Sequence, residues 1–286
     1  MNKNFLLLFA QIIACWPVWA WYGRRLAAGN PDDQGGLIAV ATAMIFLYLQ
    51  RETKARIKIN WVIPSLLMLA FAISFHAAPP MVRAILAVTA ISYTVRKNYC
   101  GQKFHPAMWG LLLLALPVIP LLQFYLGYPL RMLVGAMTSP LLQLSGIAVG
   151  QEGTGLNWNG QIISIDAPCS GIKMLWTGLY LIFTLAIFYR LSIGKTILAV
   201  SAGMPVIIGG NALRAAALFY LETGIAKLPA TISADTAHAA TGVIVFLLTA
   251  IGLAWLLQWL QRWQIFTTEN VCEQGLSSSS PAVLQP

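Results

Sequence analysis

Charge is what this sequence has least of. Asp, Glu, Lys and Arg together make up 9% of its 286 residues, and only nine are acidic, against 18 Lys and Arg. A soluble globular domain carries roughly 25% charged residues, so a large water-exposed domain is excluded. Histidine is as scarce, with His76, His105 and His238, and cysteine is limited to Cys15, Cys100, Cys169 and Cys272. None of them falls into a CxxC or HxxxH spacing, so a zinc site has no ligand set and neither metal nor cofactor is expected. A GxSxG elbow is also missing, which removes a familiar signature of serine hydrolases. No internal repeat stands out.

Apolar residues fill the space that charge leaves. They are 58% of the chain, and the mean hydropathy is +0.72. The apolar runs cover about 4–22, 36–50, 61–77, 81–95, 106–127, 172–189, 196–213 and 239–260. Some of them, 36–50 and 81–95 above all, are shorter than the ~20 residues a straight membrane span needs. The interruptions are rich in Gly, Pro or charge, as in GRRLAAGNPDDQGG and AAPP. The predicted fold is an all-α polytopic membrane protein of about eight transmembrane helices. The net charge of +9 sits in short clusters between apolar runs, so it reads as a topology signal rather than a nucleic-acid surface.

Those clusters orient the bundle. With the N-terminus inside, Lys3, Arg51, Lys54, Arg56, Lys58, Arg96, Lys97, Lys103, Arg190, Lys195 and Arg262 fall on the cytoplasmic side. Asp32, Asp33, Glu152, Asp166, Glu222 and Asp235 fall outside, a bias that favours both termini inside. The first run continues past Cys15 to Tyr22, which suits a retained anchor better than a cleaved signal peptide. Residues 1–266 are expected to form a single integral membrane domain, in a bacterial inner membrane. Residues 267–286, containing SSSSPAVLQP, are expected to be a disordered cytoplasmic tail.

The longest stretch between spans, 128–171, lies outside in this topology. Its first part is apolar and holds Pro129, Pro140 and several glycines, as in a helix lying in the interface or re-entering the membrane. GLNW and QIISI then flank Asn159-Gly160. Asn-Gly between β-favouring runs predicts a hairpin, because both residues accept positive φ. This small outer-face β-hairpin leads to Cys169.

Cys169 has no partner for a disulfide on its own side. Cys15 lies within the first run, and Cys100 and Cys272 fall on the cytoplasmic side. Pro168 stops any preceding helix, which puts Cys169 in the cap or first turn of the next one, where exposed N–H groups favour a thiolate. Arg214 ends the following span, three residues after Asn211, and His238 opens the one after, four residues before Gly242. Each has a plain alternative: Cys169 as small filler beside a Ser170 cap, a snorkelling arginine and a structural histidine. Their occurrence at three successive span ends on one side looks like a thiol active site.

PCSGI, then NALR in the next span, then HAATG opening the last long one, together resemble the exosortase/archaeosortase family of membrane cysteine transpeptidases. The resemblance covers about Asn159 to Phe246. It implies that Cys169 is the nucleophile, Arg214 the residue that stabilises oxyanion or substrate, and His238 the general acid/base. It further implies exported protein substrates with a C-terminal signal: a short motif, a hydrophobic span and a basic end. The active site would face the periplasm or exterior, with membrane lipids as the other partners. A non-catalytic membrane protein of envelope polysaccharide assembly or export is the alternative, and His76 is the rival to His238 for the base.

Overall fold

The computed structural model describes residues 3–49, 62–98, 105–164, 170–226 and 233–277. Its helices are α1 (Lys3–Ala14), α2 (Trp16–Ala27), α3 (Pro31–Leu49), α4 (Val62–Ser74), α5 (Pro80–Asn98), α6 (Pro106–Leu114) and α7 (Val118–Leu144). A sheet of β1 (Val149–Glu152), β2 (Gly155–Trp158) and β3 (Gln161–Ser164) follows, and then α8 (Ile172–Phe188), α9 (Ile193–Glu222) and α10 (Ala234–Ser277). The basic segments 51–58 and 99–104, Asp166, Cys100 and Cys169 lie outside the described residues, as do residues 278–286. α10 runs helically past the boundary expected at Thr267.

Length and composition qualify α7, α9 and α10 as candidate membrane spans, and the α1–α2 pair as a fourth if it counts as one bent span. α4, the Pro80–Val95 part of α5, and α8 are apolar but shorter. The eight apolar runs thus reappear as helices, but not as eight helices that each meet the criteria for a full span. The first run is broken at Cys15, with a bend of 58° between its halves. Pro17 follows at the start of α2; it has no N–H to continue the ladder and clashes with the preceding turn. A second correction concerns 106–127. This run divides at Ala115–Pro117, and its latter half joins the expected interfacial segment in one helix, α7, which carries Pro129 and Pro140 inside it.

α8, α9 and α10 form the centre of the bundle. Their shared core includes Ile182, Ala186, Ile207, Leu253 and Leu257, all 1% exposed or less. Close approach depends on missing side chains: a Cβ on Gly178 would meet Ile207, and one on Gly210 would meet Thr249. Small residues at helix contacts are how membrane helices gain packing where water exclusion contributes little.

Two ends of the bundle can be told apart. At one end His105 hydrogen-bonds the Leu191 carbonyl through Nε2 (2.8 Å). There, too, Lys195 Nζ donates to the Leu260 carbonyl and lies 4.9 Å from the Trp263 ring centroid. At the other end Lys173, in the first turn of α8, pairs with Asp32 (2.9 Å), and Arg25 pairs with buried Asp33 (3.0 Å). Lys195 and Arg214 are nineteen residues apart on α9, about 28 Å at 1.5 Å per residue. That is close to the ~30 Å hydrocarbon thickness of a bilayer. Arg214 and Lys195 therefore fall at opposite interfaces. A membrane-impermeant maleimide applied to intact cells is expected to label Cys169 and to spare Cys100, Cys272 and buried Cys15. Labelling of Cys100 with Cys169 spared would invert the orientation.

The hairpin has the predicted register. Trp158 pairs with Gln161 across Asn159 (φ +53°) and Gly160 (φ +78°), the two left-handed residues that an Asn-Gly turn supplies. A third strand was not anticipated: β1 pairs antiparallel with β2, from Val149 opposite Trp158 to Glu152 opposite Gly155. VGQE has little alternation to mark a strand; tertiary partners hold it. Ser139 Oγ and Gln143 Nε2 both donate to the Val149 carbonyl (3.0 and 2.7 Å). Leu156 and Val149 pack on Val134, Leu142 and Phe219, joining the sheet to α7 and α9.

α7 meets both α8 and α9. Gln123 touches Ser170, beside Gly171 and its neighbour Asn211, while Thr138 donates to the Ala212 carbonyl (3.3 Å). Those residues are about 22 Å apart along α7, so one helix reaches both the start of α8 and the middle of α9.

Candidate active site

α9 supplies the floor of the site. Asn211 is buried at 2% exposure, and Arg214 stands three residues further on, half-buried. Residues three apart lie on one helix face. Helix α10 opens at a serine cap: the Thr236 N–H donates to Ser233 Oγ (3.2 Å), satisfying one of the orphan donors of its first turn. His238 follows in that turn, half-buried. Gly242, one turn later, presents bare backbone to Arg214: a Cβ there would lie 3.4 Å from Nε and 3.8 Å from Cζ. The guanidinium and the imidazole thus share one short stretch of α10.

Arg214 Nε is buried and meets no hydrogen-bond partner among the described residues. An orphan donor of this kind costs about 1–3 kcal/mol, which an oxyanion or carboxylate docking there would recover. In this respect Arg214 differs from an arginine that merely reaches into the headgroup layer.

The chain comes to the same place from the sheet. Ser164, the last residue of β3, lines a small cleft with Leu218 and Glu222 of α9. It is next described at Ser170, buried at 1%, whose Oγ donates to Gln123 Oε1 on α7 (3.1 Å). Gly171 then adopts φ +86° as the cap of α8, against Asn211. Cys169 itself lies outside the described residues; on either side of its segment, Ser164 and Gly171 lie against α9 at Leu218 and Asn211, which bracket Arg214. The expected helix start needs correction. α8 begins at Ile172 and Ser170 caps nothing, so Cys169 precedes the cap residue by two positions instead of occupying the cap or first turn. The cause is Gly171: its left-handed φ cannot belong to a right-handed helix.

Gly171 also has no room for a side chain. A Cβ would sit 2.7 Å from Asn211 Nδ2, and an L-residue held left-handed costs roughly 1–2 kcal/mol before that clash. Gly171→Ala is therefore expected to lower the melting temperature and to depress activity. Gly242→Ala, whose Cβ meets Arg214 only at contact distance, is expected to be nearly neutral. Thermal melts of the two purified variants in detergent check this contrast, and equal melts would remove the close packing of Gly171 on Asn211.

The other histidines have different surroundings. His105 caps α6 by accepting from the Ala107 N–H at Nδ1 while Nε2 binds Leu191, so both ring nitrogens are occupied. His76 is exposed in the turn after α4, whose main packing partner is α5. Among the described residues, no group of three His, Cys, Asp or Glu is placed to hold a metal ion. Gln123, the partner of Ser170, is the polar residue the sequence leaves unmarked here. A lone amide in an apolar run was the available signal for Gln123, and it names no partner.

No curated protein and no solved structure matches this chain. The model of the transmembrane exosortase family matches residues 11–256. That range contains α8, α9, the Arg214–Gly242 contact and His238, and with it the chain belongs to the transmembrane exosortase family.

Proposed function

We propose that this protein is a membrane cysteine transpeptidase. It cleaves C-terminal sorting signals from exported proteins through a thioester acyl-enzyme, and transfers or releases the product. The observation that carries this reading is the placement of Ser164 and Gly171 against α9 on either side of Arg214, with Ser170 bonded to Gln123 of α7, and of Arg214 against Gly242 one turn from His238. Family membership supports it independently.

Cys169 gives its proton to His238 and attacks the scissile carbonyl carbon as thiolate; a C–S bond forms and the carbonyl oxygen becomes an oxyanion. Arg214 donates to that oxyanion, an interaction typically worth about 3 kcal/mol in such sites. His238 returns the proton to the amide nitrogen as the C–N bond breaks, leaving a thioester and a free amine. An incoming amine or water, deprotonated by His238, then attacks the thioester and expels the thiolate. An amine gives transpeptidation and water gives hydrolysis.

The site faces the periplasm or exterior of a bacterial inner membrane, and α7 contacts it through Gln123. Its exposed Phe124, Tyr125 and Tyr128 are the residues that settle at a headgroup boundary. The substrate is an exported protein whose tail carries a short motif, an apolar span and a basic end. Comparing membrane proteomes with and without this protein tests the reading. Tails retained only in its absence are expected, and an unchanged set of C-termini would sink it.

A further inference from the structure

Away from α8–α10, a second feature at the same end of the bundle has no part in the reaction above. A cavity of about 170 Å³ opens between α2, the end of α4 and the start of α5, lined by Trp21, Phe75, Pro80, Arg24 and Arg83 among others. Both arginines contribute to its wall. Arg83 Nε donates to the Ala78 carbonyl (3.0 Å) and its guanidinium lies 4.7 Å from the Phe75 ring centroid. Arg24 Nε donates to the Ala20 carbonyl (3.2 Å). Each bond uses one of the five guanidinium N–H groups and leaves the terminal nitrogens available.

No carboxylate neutralises them among the described residues. The nearby acids are engaged elsewhere, Asp33 with Arg25 and Asp32 with Lys173. One arginine at a membrane boundary is explained by snorkelling, and one in the last turn of α2 by the helix dipole. Two that converge on one cavity with apolar and aromatic walls, both without an acid, need a further explanation. Terminal guanidinium nitrogens suit phosphate oxygens, and an apolar wall suits the glycerol and first methylenes that follow a headgroup phosphate.

We propose that this cavity binds the phosphate of an anionic phospholipid headgroup, held between Arg24 and Arg83 with the lipid's glycerol end against Trp21 and Phe75. The ion pairs of Asp32 and Asp33 put the cavity at the level where headgroups lie. The site stands independently of the peptidase reading, because neither arginine takes part in that chemistry.

Native mass spectrometry of the full-length protein in detergent tests the proposal, with titration of phosphatidylglycerol, phosphatidylcholine and free glycerol 3-phosphate. The expected result is one phosphatidylglycerol bound in preference to the other two. Arg24→Gln is expected to weaken it about five-fold, and the double variant with Arg83→Gln about 25-fold, with the preference over phosphatidylcholine lost. Arg24 is exposed, so its substitution leaves the fold intact and decides the matter alone if loss of the Arg83–Ala78 bond prevents folding. Unchanged phosphatidylglycerol affinity in Arg24→Gln would overturn the proposal, as would equal affinity for both lipids in the wild type. Glycerol 3-phosphate binding as tightly as the lipid would also overturn it, leaving a soluble-anion site in its place.

Discussion

Cys169→Ala is expected to abolish processing, leaving substrate precursors with intact C-terminal tails. Without the thiol no acyl-enzyme can form, and loss of a nucleophile that acts with its base as a unit costs roughly 10⁴-fold or more in rate. The measurement is the ratio of precursor to processed reporter in cells that make equal amounts of wild type and variant. A hydroxylamine-labile adduct on the protein should disappear with the thiol. Cys169→Ser is expected to be almost as inactive, since a hydroxyl at its ordinary pKa is a far weaker nucleophile. Normal processing in either variant would favour the non-catalytic role in envelope polysaccharide assembly.

Arg214→Lys is expected to reduce processing about 100- to 1,000-fold, the usual cost of losing one oxyanion donor. Lysine keeps the charge but not the planar fork. A second variant, Arg214→Ala, separates two roles of the arginine. If Arg214 also helps to hold the thiolate, an electrophilic probe near neutral pH labels Cys169 more slowly in Arg214→Ala than in wild type. Unchanged labelling with lost processing would confine Arg214 to the oxyanion. Near-normal processing in Arg214→Lys would make it a headgroup-anchoring residue, despite its buried and unpartnered Nε.

Hydrophobic periodicity and turn chemistry made part of this protein legible. The Asn159-Gly160 hairpin could be read directly, because the requirement for two positive φ values is local and few residue pairs meet it. The apolar runs were recovered as helices, because a backbone in lipid has few options besides one that satisfies its own N–H and C=O groups. Candidate site residues were recognisable from their order along the chain, PCSGI, NALR and HAATG. That order says nothing of distance.

Other features were decided only by packing. VGQE became a strand because Ser139 and Gln143 of α7 bond the Val149 carbonyl, a pairing of residues whose side chains meet only once α7 is in place. The run at 106–127 was divided and its latter half carried into the longer helix α7, an outcome that hydropathy cannot distinguish from one unbroken span. Ser170 found Gln123, 47 positions earlier, and Gly171 was set left-handed against Asn211. Sequence by itself determined that the chain lies in a membrane, which segments are helical, and which cysteine, arginine and histidine to compare. The tertiary structure decided that Arg214 packs against Gly242, one turn from His238, because which residues of two helices meet depends on how the helices are placed, and pattern along one helix does not specify its neighbour.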